Sequence, residues 1–209
     1  MLNVLSKTAH TFQRRQHLSF PGDRMEAIHR VEDGWLIRYT RLATGHRQIT
    51  GIYLPGDFCE PHWIIEPVSA QWIMALSPVR TVSVALDTVM LDAEINPEKP
   101  RVVFADLIRL IDRQSDLIVA LGRKSGLERL SSVVLGLYTR LIAAGADPQK
   151  SSMPLTQSDL ADIVGLTPIH VNRILKELRQ HRVLEIHRGS LSVLDPELLQ
   201  FVSANGYFG

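Results

Sequence analysis

Between Thr156 and Leu194 the chain gathers threonine, asparagine, arginine and lysine side chains at helical spacing. Thr167 and Pro168 open a helix. A threonine hydroxyl there accepts a bond from a free N–H of the first turn, and proline gives up an N–H that would have no partner anyway. Val171, Ile174, Leu175 and Leu178 recur at helical spacing and form one buried stripe. At about 100° per residue, Ile169, Asn172, Arg173, Lys176 and Gln180 point the other way. Arginine and asparagine carry paired groups that match guanine and adenine edges in the major groove. From 165 to 190 the cations Arg173, Lys176, Arg179, Arg182 and Arg188 outnumber Glu177 and Glu185, a local excess that suits phosphate contact.

A reading helix needs elements to hold it. Thr156 followed by Asp159 resembles a capping box, Leu160, Ile163 and Val164 form the apolar face of a short helix, and Gly165 ends it. The spacing Ala161, Gly165, Val171 fits a helix-turn-helix: the alanine allows close approach, the glycine takes the turn and the valine packs the second helix on the first. Val183–His187 and Ser190–Leu194 then flank Arg188-Gly189 as a hairpin, a wing with Arg188 at its tip. Arg173 is expected to read bases, with Asn172, Ile169, Pro168 and Lys176 adjusting the reading. Thr156, Gln157, Thr167 and Arg188 are expected at phosphates, partly through helix N-termini. For His170 a DNA contact and an ordinary solvated surface both stand. The plainer alternative for the whole segment is a structural helix pair with a solvated basic face.

The rest of the chain bounds what such a segment can serve. It has 209 residues, 45% of them apolar, and a formal charge of +1. Length and composition fit one or two globular domains. The single cysteine excludes an intrachain disulfide and a cluster held by four cysteines of one chain. No apolar run approaches the roughly 20 residues of a membrane helix. The N-terminal stretch with Lys7, Arg14 and Arg15 does not read as a secretory signal, so a cytoplasmic protein without a membrane partner is expected. Residues 1–97 carry 9 basic and 10 acidic side chains, 98–149 carry 8 and 6, and 150–209 carry 6 and 6, so only the reading helix and wing are locally positive.

Residues 1–97 read as short strands broken by turns such as Pro21-Gly22-Asp23, Asp33-Gly34 and Pro55-Gly56-Asp57. From 98 to 123 the pattern becomes helical. Val103, Leu107, Leu110, Gln114, Leu117 and Leu121 are spaced four, three, four, three, four, a heptad seam with a polar residue in its middle. Such a stripe fits a parallel dimer helix or an amphipathic helix packed on its own domain. A second helix follows from Leu127 to about Ala144, and residues 124–209 are expected to form the last domain.

With these residues in view, the chain resembles the Crp/Fnr family of bacterial transcription regulators over nearly its whole length. LTQSDLADIVGLTPIHVNRILKEL is similar to the family's helix-turn-helix, and YLPGDF to a turn of its cyclic-nucleotide-binding-like β-roll. The resemblance implies an α+β protein: an N-terminal β-roll (a double-stranded β-helix), a long dimerisation helix and a C-terminal winged helix-turn-helix. It implies a homodimer on a near-palindromic operator, a small-molecule effector sensed by the roll, and RNA polymerase as a partner if the protein activates. By position in the family, Glu60, Ser69, Gln114 and Ser115 would line the effector pocket. The sequence also departs from the pattern. Pro168 and Ile169 stand where many members carry Arg and Glu, so the commonest half-site is not expected. Val68 stands where cyclic-nucleotide members hold the phosphate with arginine, so cyclic AMP is not the expected effector.

Cys59 and His62 follow the PGDF turn, in a region where a haem-binding member of the family carries its ligands. A haem- or redox-responsive regulator is therefore one alternative, although two ligands make no complete site and a packed core cysteine is the plainer reading. A β-roll signalling protein that binds no DNA is the other. No metal or cofactor is expected, and no arrangement of nucleophile, base or paired carboxylates suggests an enzyme.

Overall fold

The computed structural model describes residues 8–89, 98–147, 151–187 and 189–208. The chain divides into two compact units, Met1–Thr40 with Thr50–Gln114, and Arg41–Ile49 with Ser115–Gly209. The first is a β-roll. Its strands are β1 (Thr8–Phe12), β2 (His17–Ser19), β3 (Ala27–Asp33), β4 (Leu36–Arg41), β5 (Arg47–Tyr53), β6 (Phe58–Cys59), β7 (Trp72–Ala75) and β8 (Val79–Ala85). They form two four-stranded sheets with the orders β1-β8-β3-β6 and β2-β7-β4-β5. The turn signals sit between strands, as period and punctuation require. Gly34, between β3 and β4, has φ 78°. A Cβ there would lie 2.0 Å from the Pro78 carbonyl oxygen, so this turn accepts only glycine. Ile28, Val31, Leu36, Tyr53, Phe58, Cys59, Trp63 and Ile73 fill the roll, and Trp63 is fully buried on a 3₁₀ turn at Pro61–Ile64.

One row of the first sheet is polar inside. His29 on β3 faces Ser83 on β8 and Cys59 on β6. Its Nδ1 lies 3.1 Å from Thr81 Oγ1, and its ring centroid is 5.1 Å from that of His10. Burial, with the neighbouring His10 second, lowers the His29 pKa from 6.5 to about 4. The folded protein therefore binds this proton more weakly than the unfolded chain. Stability is expected to be full above pH 6.5 and to fall by about 3 kcal/mol between there and pH 4. Denaturant titrations across that range should show the loss, and His29→Asn should flatten it. An unchanged acid limb in the variant would place the proton uptake elsewhere.

Helix α1 spans Glu98–Arg123. It is one continuous helix, as the periodicity predicts, but the heptad seam does not face outward along its length. Val103 and Leu110 are 4% and 6% exposed and belong to the roll's own core. They are therefore corrected from dimer-interface residues to core residues; Leu107, Gln114, Leu117 and Leu121 are half-buried. The exposed apolar stripe runs one residue later, through Phe104, Ile108, Ile111 and Ile118, with exposed Ser115 and Gly122 completing the spacing. Asp106, also buried, accepts the Phe58 backbone N–H and pairs with Arg109, while Arg113 reaches Asp57 at 3.2 Å.

In the second unit α2 (Gly126–Ala143) starts with a full capping box between Ser125 and Glu128. Leu130, Val134, Leu137 and Leu141 make its buried stripe. Next come α3 (Gln157–Val164), α4 (Pro168–Gln180), the ribbon β9 (Leu184–His187) and β10 (Ser190–Val193), and α5 (Pro196–Asn205), which buries Leu199 and Val202.

Candidate nucleic-acid interface

Each end of α3 and α4 is set by a local device. Thr156 caps α3, accepting from the Asp159 backbone N–H, while the Asp159 carboxylate accepts from Thr156 N and, at 2.6 Å, from its hydroxyl. Gly165 closes α3 at φ 64°, with its N–H on the Ala161 carbonyl. Thr167 caps α4 through His170 N, and Pro168 occupies the first helical position. These local signals were all expected, because each acts within four residues.

The faces of α4 divide as the spacing requires. Val171, Ile174, Leu175 and Leu178 are buried. Thr167, Pro168, Ile169, His170, Asn172, Arg173 and Lys176 are all exposed, and Ile169 is 84% exposed. The structure thus gathers the expected reading residues on one outward face of one helix. His170 is turned to the cap, with Nδ1 3.4 Å from Thr167 Oγ1. Thr156 and Gln157 are half-exposed at the start of α3. In the wing, His187 pairs with Ser190 and Glu185 with Ser192; Arg188 lies outside the described residues. Met153 bridges to Leu191 and so fixes the ribbon.

Two supports were not foreseen. Arg129 on α2 donates from Nη1 to the Val164 carbonyl, from Nη2 to Lys124 O and from Nε to Ala120 O, and so ties three chain segments together. An arginine inside an amphipathic helix gives no sequence hint of that task. At the end of α4 His181 stacks on Phe208, with centroids 3.8 Å apart and planes 7° from parallel.

Residues 128–202 match the Crp-like helix-turn-helix domain. Nitrogen fixation regulation protein FixK of Bradyrhizobium diazoefficiens is 29% identical over 181 residues, covering 85% of this chain and 74% of that protein. The fumarate and nitrate reduction regulatory protein of Yersinia pestis is 24% identical over 197 residues, 92% of this chain and 77% of that one. Residues 128–202 thus form a Crp-like helix-turn-helix domain, and over most of its length the chain is similar to Crp/Fnr regulators. It is a transcription regulator of that type, with a helix-turn-helix domain for DNA. The structure of FixK2 from Bradyrhizobium japonicum superposes with a TM-score of 0.81 at 23% identity, covering 94% of this chain and 97% of that one. That likeness shows the α+β fold of a β-roll, a long helix and a helix-turn-helix.

In this Crp/Fnr-type regulator two of the residues expected to receive an effector, Glu60 and Ser69, are already engaged inside the roll. Glu60 is buried at a left-handed position after β6. Its carboxylate meets Arg38 Nη1 at 3.0 Å, the Tyr53 hydroxyl, and His62 Nδ1 at 3.1 Å. Burial alone would push the Glu60 carboxyl up; the His62 hydrogen bond, the Arg38 charge and the Tyr53 hydroxyl outweigh it and hold the group below the usual carboxylate value. Arg38 continues to Thr50 through Nε and Nη2, Thr50 donates to Gln71 Oε1 at 2.6 Å, and buried Ser69 donates to Gln71 O while meeting Ser19 Oγ at 3.0 Å. Glu60 and Ser69 thus end one internal polar chain. Gln114 is half-buried and Ser115 exposed on α1.

Cys59 is buried in the core. Burial and the neighbouring Glu60 push its thiol well above the ordinary value, which makes it a poor thiolate nucleophile or ligand. His62 is turned to Glu60. Among the described residues no three His, Cys, Asp or Glu side chains are grouped to hold a metal ion, and no helix is long and apolar enough to cross a membrane.

Proposed function

We propose that the protein acts in the cytoplasm as a homodimer on a near-palindromic duplex operator, each protomer placing α4 in a major groove. The observation that carries this reading is the exposed face of α4, where Ile169, Asn172, Arg173 and Lys176 stand outward over a fully buried opposite stripe. Arg173 reads a base edge, most naturally guanine, with Asn172, Ile169, Pro168, His170 and Lys176 around it. Thr156, Gln157, Thr167 and Arg188 hold phosphates. The partner copy covers the apolar stripe of α1, and the two recognition helices of the dimer meet half-sites one turn of DNA, about 34 Å, apart. The roll supplies the regulatory input, and RNA polymerase is the further partner where the protein activates. The relatives are regulators, which supports a non-enzymatic role.

Selection of bound sequences from a random duplex pool tests the reading, and a recovered inverted repeat supports it. Arg173→Ala should then cost roughly 1–3 kcal/mol on the selected site and relax one position per half-site. Equal losses on selected and random duplexes would remove Arg173 from base reading.

A further inference from the structure

Residues 41–49 join two strands of the roll's sheet yet belong to the unit that carries the helix-turn-helix. Their contacts explain why. Arg47 donates from Nη2 to Asp159 Oδ1 and from Nε to Asp162 Oδ2, each at 2.7 Å. Gln48 Nε2 donates to the Ile163 carbonyl at 3.1 Å. Asp159 and Asp162 lie on α3, and Ile163 O is one of the last four carbonyls of that helix, which have no partner inside it. Two successive side chains of one hairpin therefore grip α3 near both of its ends.

The grip answers two physical needs. An eight-residue helix is too short to hold itself, so its geometry comes from what it packs against. The Asp159 side chain is only 9% exposed, and the same carboxylate completes the cap at Thr156. A charge so placed requires a partner. In addition, two carboxylates on the helix whose first turn meets phosphate would repel DNA if left uncompensated. Arg47 offsets one of the two charges and bridges both carboxylates with the fork of its guanidinium, a geometry that lysine cannot reproduce.

We propose that Arg47 is a positioning residue for DNA reading: the hairpin tip latches α3 through Asp159 and Asp162, and so sets the helix pair that presents α4. This rests on the DNA reading above. Arg47 itself touches no DNA in this arrangement; it acts through the two aspartates.

A double-mutant cycle tests the latch, using the full chain and the operator recovered by selection. Arg47→Ala should weaken operator binding about tenfold, and Asp162→Asn should weaken it less. After Asp162→Asn, the further loss from Arg47→Ala should shrink to about threefold. Arg47→Lys should fall between Arg47→Ala and wild type. Thermal melts establish that each variant is folded; if Arg47→Ala does not fold, Arg47→Lys takes its place in the cycle. The latch is overturned if Asp162→Asn tightens binding while the Arg47 loss stays undiminished, because Arg47 would then be a phosphate ligand competing with an acid. It is also overturned if Arg47→Ala binds as wild type does. A wild-type chain that retards no duplex overturns the DNA reading and the latch together.

Discussion

Ile118→Asp should leave a folded protomer that sediments as a monomer and binds the operator 10²–10⁴-fold more weakly, roughly the factor lost when two linked modules become independent. Ile118 is 69% exposed within the protomer, so its side chain adds little to the core of one chain. In a two-fold pair the same position is filled twice, and each aspartate would bring a charge into an apolar seam with no partner, at a cost of several kcal/mol per ion. Val103→Asp serves as the contrast. That position lies in the roll's core, so the variant should lose stability before it loses dimerisation. Sedimentation and gel retardation check both. An Ile118→Asp protein that remains dimeric at wild-type affinity would move the interface off this stripe.

Arg38→Met should destabilise the roll strongly, by about 3–5 kcal/mol, or roughly 10 °C in the melting midpoint. The arginine is buried, and its loss leaves the Glu60 carboxylate in the core without its cation and the Thr50 carbonyl without a donor. Removing both charges costs less than removing one, because the remaining charge bears the desolvation. The double variant Arg38→Met, Glu60→Gln should therefore recover part of the loss. Denaturant unfolding followed by the roll's tryptophans measures this. Strictly additive losses would mean that the two groups do not depend on each other.

The helix-turn-helix was legible because its determinants are local. Thr156 with Asp159, Gly165, and Thr167 with Pro168 each act within a turn of themselves, and the structure places them as their types require. The long helix was legible as a helix but its facing was not. Val103-Phe104, Leu107-Ile108, Leu110-Ile111 and Leu117-Ile118 are apolar pairs, so two adjacent stripes share the same four-three spacing. Periodicity cannot choose between them; the core of the roll does, by taking Val103 and Leu110. The polar chain from Glu60 to Ser69 depended on Arg38 and Thr50, residues that in sequence look like ordinary strand positions. Arg47 was invisible for a plainer reason, since its aspartates lie 112 and 115 residues away and no short-range pattern records such a pairing.

Pairing of two copies through the exposed stripe of α1, as proposed above, would make the amount of protein itself a signal. At levels below the dissociation constant of the pair, the dimer concentration follows the square of the subunit concentration, so halving synthesis leaves about a quarter of the operator-competent species. Each cell division without new translation would then reset the promoter more sharply than simple dilution. A gene of its own under its own operator would respond to that threshold even with no small molecule in the roll.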